Sequence, residues 1–275
     1  MKKLFLAGLV CCMTFICTGC VKLDYNIEIS KGDRINISQT QAYNMKFFTA
    51  LNPAFFEDGF KKSMATIADN YKGLKYRTKL YNDDDFSGLT VSKDGLTFKS
   101  AKEVLPAGFR REDDSFIANK GFVKSSYKIH LFYDMNEALK SPDILAVQKD
   151  FSAGLPNAVL SRRRQTRFIN NQLVDMTSIQ EKYEAIEGKK PDIIPVSTLT
   201  IKIPAKATRD NADNVIKDKE YQWNLATQEQ PVEIILEYET LDFSKLAAAV
   251  SLIVLLGAVL YLVQKVNKED VVKGL

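Results

Sequence analysis

The sequence predicts an α+β fold: a mostly antiparallel sheet covered on one face by an amphipathic helix, with a helical insertion and a C-terminal transmembrane helix. Three observations support this prediction. Several segments alternate apolar and polar residues, as strands with one buried face do. One segment repeats apolar residues at helical spacing. Near the end of the chain, residues 246–263 form a run of 18 residues without a charge.

The first strands are predicted to form a hairpin. Residues 21–30 alternate without interruption, residues 31–33 (KGD) supply turn chemistry, and the alternation resumes at Ile35 and Ile37. Further segments with one apolar face predict strands over residues 74–81, 89–91, 96–98, 123–133, 199–203, 223–225 and 232–238, with a turn at 92–95.

The helix that would cover this sheet is predicted between Pro53 and Gly73. Proline is favoured at the start of a helix and glycine just past its end. The apolar residues that recur at helical spacing are Phe55, Phe56, Phe60, Met64, Ile67 and Tyr71. A stripe of this kind ordinarily faces a core, although the phenylalanines could also line a lipid groove.

Residues 135–195 interrupt the strand pattern and predict a helical insertion. Ser141, Pro142 and Asp143 indicate the cap and first turn of a helix that reaches about Phe151. Residues 178–181 (SIQE) form a capping box for a second helix. Between these helices lies a basic cluster, which consists of Arg162, Arg163, Arg164 and Arg167.

The basic cluster has two interpretations. The arginines could contact anionic lipid head groups, because the insertion can fold back towards a bilayer. Alternatively they lie on a solvated helix face, balanced by Glu181, Glu184 and Glu187. The small net charge of the region favours the second interpretation.

The chain begins with a predicted secretory signal over residues 1–19. Lys2 and Lys3 precede an apolar run that is too short to span a membrane. Residues 17–20 (CTGC) match the pattern of a bacterial lipobox, in which the final cysteine is acylated and becomes the new N-terminus. We therefore predict a covalent diacylglycerol on Cys20, with fatty acyl chains such as palmitate, as a lipid anchor.

The C-terminal apolar segment predicts a second anchor over residues 245–263. At an α-helical rise of about 1.5 Å per residue, 18 residues span about 27 Å, close to the roughly 30 Å of a hydrocarbon core. A buried core helix is the alternative, which the absence of a polar face disfavours. Lysines in residues 264–275 place this tail in the cytoplasm. The domain formed by residues 20–134 and 196–243 then lies outside the cytoplasm.

Composition limits the remaining classes of function. The net charge of +4 comes mostly from the two ends of the chain, so the domain is nearly neutral and nucleic acid is not an expected partner. Three of the four cysteines lie in the signal, so the mature chain cannot form an intrachain disulfide. We expect no cofactor.

Two groups of polar residues are candidates for chemistry. His130 is the only histidine, and it lies on a predicted strand beside Lys128 with no visible partner to orient it. No nucleophile-elbow sequence accompanies it, and the chain lacks the ligands for zinc. Residues 83–88 (DDDFSG), with Asp94, partly imitate a calcium loop, but an acidic turn between strands is the default. We predict no catalytic residue and no metal site.

The order of these features resembles the LppM-type family of bacterial envelope lipoproteins. The segments that carry the resemblance are residues 20–33 after the lipidated cysteine, 86–91 (FSGLTV), 203–205 (IPA), 211–214 and 223–225 (WNL). It extends over residues 20–134 and 196–263, and the insertion is larger than the simple domain needs. The resemblance implies an α/β domain at the membrane surface, with a role in envelope lipid or protein handling and no catalytic residues.

Three functions follow as hypotheses. The preferred one is a non-enzymatic envelope lipoprotein, anchored at both ends, whose domain binds lipid or a membrane-protein partner. The second is an accessory subunit of a membrane complex, in which Ala247 and Ser251 let the membrane helix pack against another span. The third is an envelope hydrolase that uses His130 or the aspartates at residues 83–85. An apolar cavity between sheet and helix would favour the first.

Overall fold

The computed structural model describes residues 21–46, 49, 58–153, 196–226 and 230–273. Several predictions lie outside these residues. They concern the signal over residues 1–19, Cys20, the first turns of the predicted covering helix, the arginine cluster and the capping box at residues 178–181.

The described residues form an α+β fold with two sheets. The strands are β1 (Val21–Ile29), β2 (Ile35–Asn44), β3 (Arg77–Asn82), β4 (Phe86–Leu96), β5 (Phe116–Lys120), β6 (Lys124–Tyr133), β7 (Val196–Lys202), β8 (Ala207–Asp210), β9 (Asn214–Lys217), β10 (Glu220–Asn224) and β11 (Val232–Leu241). The helices are α1 (Phe60–Gly73), α2 (Phe98–Ala101), α3 (Met135–Leu139), α4 (Pro142–Ala153) and α5 (Phe243–Lys273).

The first sheet has seven strands in the order β3-β4-β2-β1-β7-β10-β9, and the second has four in the order β5-β6-β11-β8. Among the described strands, β1 and β7 form a parallel pair, and all the other pairs are antiparallel. The prediction of a mostly antiparallel architecture is confirmed. The chain returns to the first sheet at β7 after forming only β5 and β6 of the second, so the two sheets are interleaved in sequence.

Most of the alternating segments bury the faces that the sequence predicted, but the segment at residues 74–81 does not: Leu74 is 66% exposed and Leu80 on β3 is 72% exposed, because β3 is an edge strand. On β1 the buried side chains are Val21, Leu23, Tyr25, Ile27 and Ile29. On β6 they are Tyr127, Ile129, Leu131 and Tyr133. Burying one such side chain contributes about 1.5–3 kcal/mol, so these two strands supply much of the apolar driving force.

Part of the inner face of the first sheet packs against the second sheet, whereas the sequence predicted that a helix would cover it. Tyr25 on β1 meets Tyr133 on β6, with their hydroxyl oxygens 3.3 Å apart, and its ring lies edge-on to Phe109 at a centroid distance of 5.0 Å. Helix α1 packs on β3 and β4 at one side of the sheet. Alternation within a strand reports a buried face but not the element that buries it.

One predicted turn is absent. Residues 92–95 continue β4, which runs from Phe86 to Leu96 beside β2. Gly95 takes a φ of 69° near the end of the strand, where glycine tolerates the left-handed region. Phe98 starts α2 and not a strand, because Thr97 and Ser100 cap that helix reciprocally.

The start of the predicted insertion belongs to the main domain. Helices α3 and α4 bury Met135, Leu139, Ile144 and Val147 in the common core. The helix predicted after Ser141 is present as α4, and it contacts α1. The Ser63 hydroxyl of α1 donates to the Asp150 carboxylate of α4 at 2.6 Å.

Strand β11 leads directly into α5, with Asp242 alone between them. The Asp242 carboxylate accepts a hydrogen bond from the backbone N–H of Lys245 at 3.2 Å and so caps the helix. The segment Phe243–Tyr261 has a mean hydropathy of 2.2, and none of it is buried against the domain. Within the described part of the chain, this is the one helix long and apolar enough to cross a membrane.

Candidate functional site

A cleft lies between α1 and the inner face of the first sheet. Its cavity volume is only about 10 Å³, roughly the space that one water molecule needs. The side chains that line it are Gln39, Gln41, Met64, Ile67, Tyr71, Leu89, Val91 and Asp143. They come from β2, α1, β4 and the first turn of α4, so the cleft forms only when all four elements are packed.

Two glutamines occupy inward positions of β2 where apolar residues would be expected. Gln39 pairs with Tyr25 in the β1–β2 register, and Gln41 pairs with Leu23. Gln41 is only 8% exposed, and its side-chain amide contacts the Tyr43 hydroxyl. A buried amide that lines a cleft presents hydrogen-bonding groups at a fixed position.

The polar end of the cleft is the pair formed by Tyr71 and Asp143. The Tyr71 hydroxyl donates a hydrogen bond of 2.6 Å to the Asp143 carboxylate. Burial raises the pKa of Tyr71 above its usual value, and the hydrogen bond to Asp143 raises it further. Tyr71 therefore remains a neutral donor across the physiological range, and the pair places one negative charge at the rim.

The cleft thus has apolar walls and a polar end. Met64 and Ile67 of α1 face Leu89 and Val91 of β4. Ligand sites in proteins are mostly apolar with a few placed polar groups, and their usual volume is about 300–1,000 Å³. The cleft has the chemistry of such a site, but its free volume is only about 10 Å³, so α1 must move away from the sheet to admit part of an amphipathic molecule.

His130 lies on the outer face of the second sheet, away from the cleft. The sequence predicted no partner for it, and this prediction is wrong. Its Nδ1 lies 3.2 Å from the Asp114 carboxylate, and its Nε2 lies 2.8 Å from the Glu233 carboxylate. Glu233 comes from β11, which is distant in sequence but adjacent to β6 in the sheet.

The two carboxylates determine what His130 can do. In a nucleophile–histidine–carboxylate site one ring nitrogen receives the proton of the nucleophile while the other is held by the carboxylate. Here both nitrogens face carboxylates, so neither is left for a nucleophile. The arrangement favours a charged imidazolium that ties β6 to β11.

Residues 83–85 of the acidic segment form the turn between β3 and β4, and residues 86–88 begin β4. Asp83 Oδ1 accepts hydrogen bonds from the backbone N–H groups of Asp85 and Phe86, at 3.0 and 2.6 Å. The Tyr81 hydroxyl donates to the same carboxylate, and together these bonds lower the pKa of Asp83 to about 2. Asp94 pairs with Arg77 at the opposite end of β4, so it cannot complete a calcium loop with Asp83.

The remaining residues that the sequence singled out lie either outside the described residues or on α5. Cys20 and the four arginines at positions 162, 163, 164 and 167 lie outside the described residues. Ala247 and Ser251 are both exposed on α5, four residues apart and hence on one helix face. Among the described residues, no group of three or more His, Cys, Asp or Glu side chains is placed to hold a metal ion.

The cleft residues were missed in the sequence, although one signal was present. Gln39 and Gln41 continue the inward series that begins with Ile35 and Ile37, and polar residues at core positions often indicate a functional site. The contribution of Asp143 could not be anticipated, because it follows Tyr71 by 72 residues and only the packing of α4 on α1 brings the two side chains together.

Comparison with known proteins gives little guidance. No protein-family model matches the chain. No curated protein sequence matches it either. Among solved structures, the chain is similar to the NMR structure of the folded domain of the Mycobacterium tuberculosis LppM protein, with 15% sequence identity and a TM-score of 0.39. The match covers 82% of this chain and 93% of that one. A similarity of this size carries no argument about function.

Proposed function

We propose that this chain is a non-enzymatic lipoprotein of the bacterial envelope, anchored in the membrane at both ends, whose domain binds the apolar part of a lipid. The observation that carries the proposal is the cleft between α1 and the first sheet, with apolar walls and the Tyr71–Asp143 pair at its end. Membrane attachment places this cleft where lipids are its most abundant neighbours.

The anchoring part of the proposal rests on α5 and Cys20. A helix that is apolar all round and unburied has no stable environment in water, and a bilayer provides one. The lipobox pattern before Val21 supplies the second attachment, a diacylglycerol on Cys20. Lysines after the apolar segment favour a cytoplasmic tail and a domain outside the cytoplasm.

The binding part rests on the balance of groups in the cleft. Met64, Ile67, Leu89 and Val91 offer dispersion contacts to an acyl chain, while the Gln41 amide and the Tyr71–Asp143 pair offer hydrogen bonds to a polar end. The negative charge of Asp143 disfavours a second anionic group beside it. A neutral or zwitterionic lipid therefore suits the cleft better than an anionic one.

Photo-cross-linking tests the proposal directly. The mature chain is placed in lipid nanodiscs that contain phosphatidylcholine with a diazirine on one acyl chain, and the cross-linked peptides are identified by mass spectrometry after illumination. We expect cross-links in α5, because it spans the bilayer, and separate cross-links in peptides from α1 and β4. Cross-links confined to α5 would refute lipid binding in the cleft, whereas an unlabelled α5 would refute the membrane span.

Variants that fill the cleft provide the matched control. Ile67→Phe and Val91→Phe add volume from opposite walls and should abolish cleft cross-links while sparing those in α5. Leu145→Phe adds the same ring at an exposed position of α4 outside the cleft and should change nothing. The fluorescence of Trp223, the only tryptophan, reports whether each variant remains folded.

The two alternatives remain distinguishable. An accessory subunit would depend on the face of α5 that carries Ala247 and Ser251, so Ala247→Leu would release it from its complex without affecting the cleft. A hydrolase would depend on His130, and the occupation of both ring nitrogens by carboxylates counts against that role.

A further inference from the structure

We propose that the loop between β5 and β6, residues 121–123, inserts the Phe122 side chain into the interfacial region of the same bilayer that α5 enters. This inference rests on α5 spanning the membrane, as proposed above, and is independent of lipid binding in the cleft. The loop would then be a further, non-covalent contact with the bilayer, in addition to α5, and it would fix the orientation of the domain on the membrane.

The loop lies beside the start of α5. The backbone N–H of Asp242 donates a hydrogen bond of 2.8 Å to the carbonyl oxygen of Val123, and Leu241 pairs with Lys124 in the β6–β11 register. Phe122 therefore directly precedes the residue that is hydrogen-bonded to Asp242, the cap of the membrane helix. The loop must reach the depth at which α5 begins.

The side chains here are apolar and unburied. Phe122 is 69% exposed and Phe243, the first residue of α5, is 71% exposed. Leu241, next to Lys124 across the ladder, is also exposed. Two phenylalanine rings at the entry of an apolar helix are side chains that can bury at the boundary between head groups and acyl chains. The adjacency to α5 selects the bilayer as the partner of this patch.

A backbone hydrogen bond across the loop fixes its conformation. The N–H of Gly121 donates to the carbonyl oxygen of Lys124 at 3.0 Å. A Cβ atom at position 121 would lie 2.3 Å from that same oxygen, so only glycine allows this close approach. Phe122 is thus presented on a tight turn, and its exposure does not result from a long loose loop.

The nearby cations are already paired. Lys120 forms an ion pair with Asp33 at 2.7 Å, and Lys124 forms one with Glu239 at 2.7 Å. The patch around Phe122 therefore has little free positive charge to attract anionic head groups. The contact depends on apolar burial, and we expect it to be equal in zwitterionic and anionic bilayers and insensitive to salt.

Spin-label depth measurements test the inference. All four cysteines of the chain lie at positions 11, 12, 17 and 20, so a new cysteine is the only free thiol of the acylated mature protein. Phe122→Cys is labelled in nanodiscs of phosphatidylcholine, and its collision rates with oxygen and with a water-soluble nickel chelate are compared. Leu80→Cys, 72% exposed on β3, is the equally exposed control, and Val254→Cys marks the centre of the span. All three labels are read in a chain that begins at Val21, so that acylation does not draw β3 towards the bilayer.

We expect the nickel reagent to reach position 122 several-fold less than position 80, and oxygen to reach it more. Equal nickel access at positions 122 and 80 would overturn the inference, whether both labels are exposed or both are shielded. Shielding at position 122 in native membranes but not in pure-lipid nanodiscs would also overturn it, since a protein partner would then cover the loop. A water-accessible Val254 label would instead contradict the membrane span.

Discussion

The Tyr127 hydroxyl donates a hydrogen bond of 2.7 Å to the Asp33 carboxylate. This bond joins the β1–β2 turn to the end of the second sheet from which β11 continues into α5. From that turn β1 extends back over nine residues, whose ends are about 26 Å apart at roughly 3.3 Å per step. Val21, which directly follows Cys20, therefore lies at the end of the first sheet remote from the membrane helix.

This geometry makes the orientation of the domain depend on acylation. Cys20 adjoins β1 without a linker, and Asp242 is the only residue between β11 and α5. If both anchors enter one bilayer, β1 must lie along the membrane surface. Asp84, exposed in the β3–β4 turn near Val21, should then approach the bilayer. A fluorophore on Asp84→Cys should transfer energy to labelled lipid more efficiently in the acylated chain than in a chain that begins at Val21.

The acylation itself has a simpler test. Cys20→Ala should abolish the incorporation of labelled palmitate, because the thioether linkage needs the cysteine sulfur. The variant should still sediment with membranes, since a spanning helix anchors far more strongly than acyl chains. Unchanged palmitate incorporation would contradict the lipobox prediction and remove the constraint on β1.

Trp223 joins the two sheets and should be important for stability. It is 1% exposed on β10, and its indole N–H donates to Asn211 Oδ1 at 2.9 Å. The same oxygen accepts the backbone N–H of Ile235 on β11 at 2.8 Å. We expect Trp223→Ala to lower the free energy of unfolding by about 3–5 kcal/mol, measured by far-ultraviolet circular dichroism in denaturant.

Two variants separate the contributions of volume and hydrogen bonding at this position. Trp223→Phe keeps most of the apolar burial and should lower the free energy of unfolding less than Trp223→Ala does. The loss that Trp223→Phe still causes reflects the missing hydrogen bond to Asn211. Val215→Ala, at an exposed position on the neighbouring β9, should change stability by no more than about 0.5 kcal/mol. A similar loss for Val215→Ala and Trp223→Ala would show that the ring is not part of the core.

The strands could be predicted from the sequence because their signal is local. The alternation along β1, β6 and β11 reports the inward face of each strand, and the structure buries those faces. The pairing could not be predicted, since β1 and β7 meet in parallel across some 170 residues and no local pattern encodes that register. The same holds for the partners of His130, because Glu233 follows it by 103 residues.

Gly88 should tolerate no larger residue. It lies on β4 opposite Ala42 of β2, and a Cβ atom added to it would be 2.0 Å from the carbonyl oxygen of Gln41. That contact is with backbone, which cannot move without breaking the β2–β4 ladder. We expect Gly88→Ala to prevent folding or to lower the melting temperature strongly, and to deform the wall of the cleft that Gln41 lines. Gly73→Ala, where nothing lies within 4 Å, should have little effect.

His130 should make stability depend on pH. Partial burial favours the neutral ring, but the hydrogen bonds to Glu233 and Asp114 outweigh it and raise the pKa of His130 above its usual value of about 6.5. Because the folded state binds the proton more tightly, the stabilisation is complete below pH 6.5 or so and is lost as pH rises through the raised pKa. His130→Gln should therefore lower the free energy of unfolding more at about pH 6 than at about pH 9.

Denaturation of the wild type and His130→Gln at both pH values checks this expectation, with Glu233→Gln as the companion variant that removes one of the two partners. Glu233→Gln should reduce the pH dependence without abolishing it, since Asp114 still holds Nδ1. A pH-independent difference between wild type and His130→Gln would contradict the charged state inferred here. Cellular function should survive His130→Gln, because the ring has no nitrogen free for a nucleophile. General acid–base catalysis contributes about 10²–10⁴-fold, so loss of function in a folded, membrane-bound His130→Gln chain would instead favour the hydrolase.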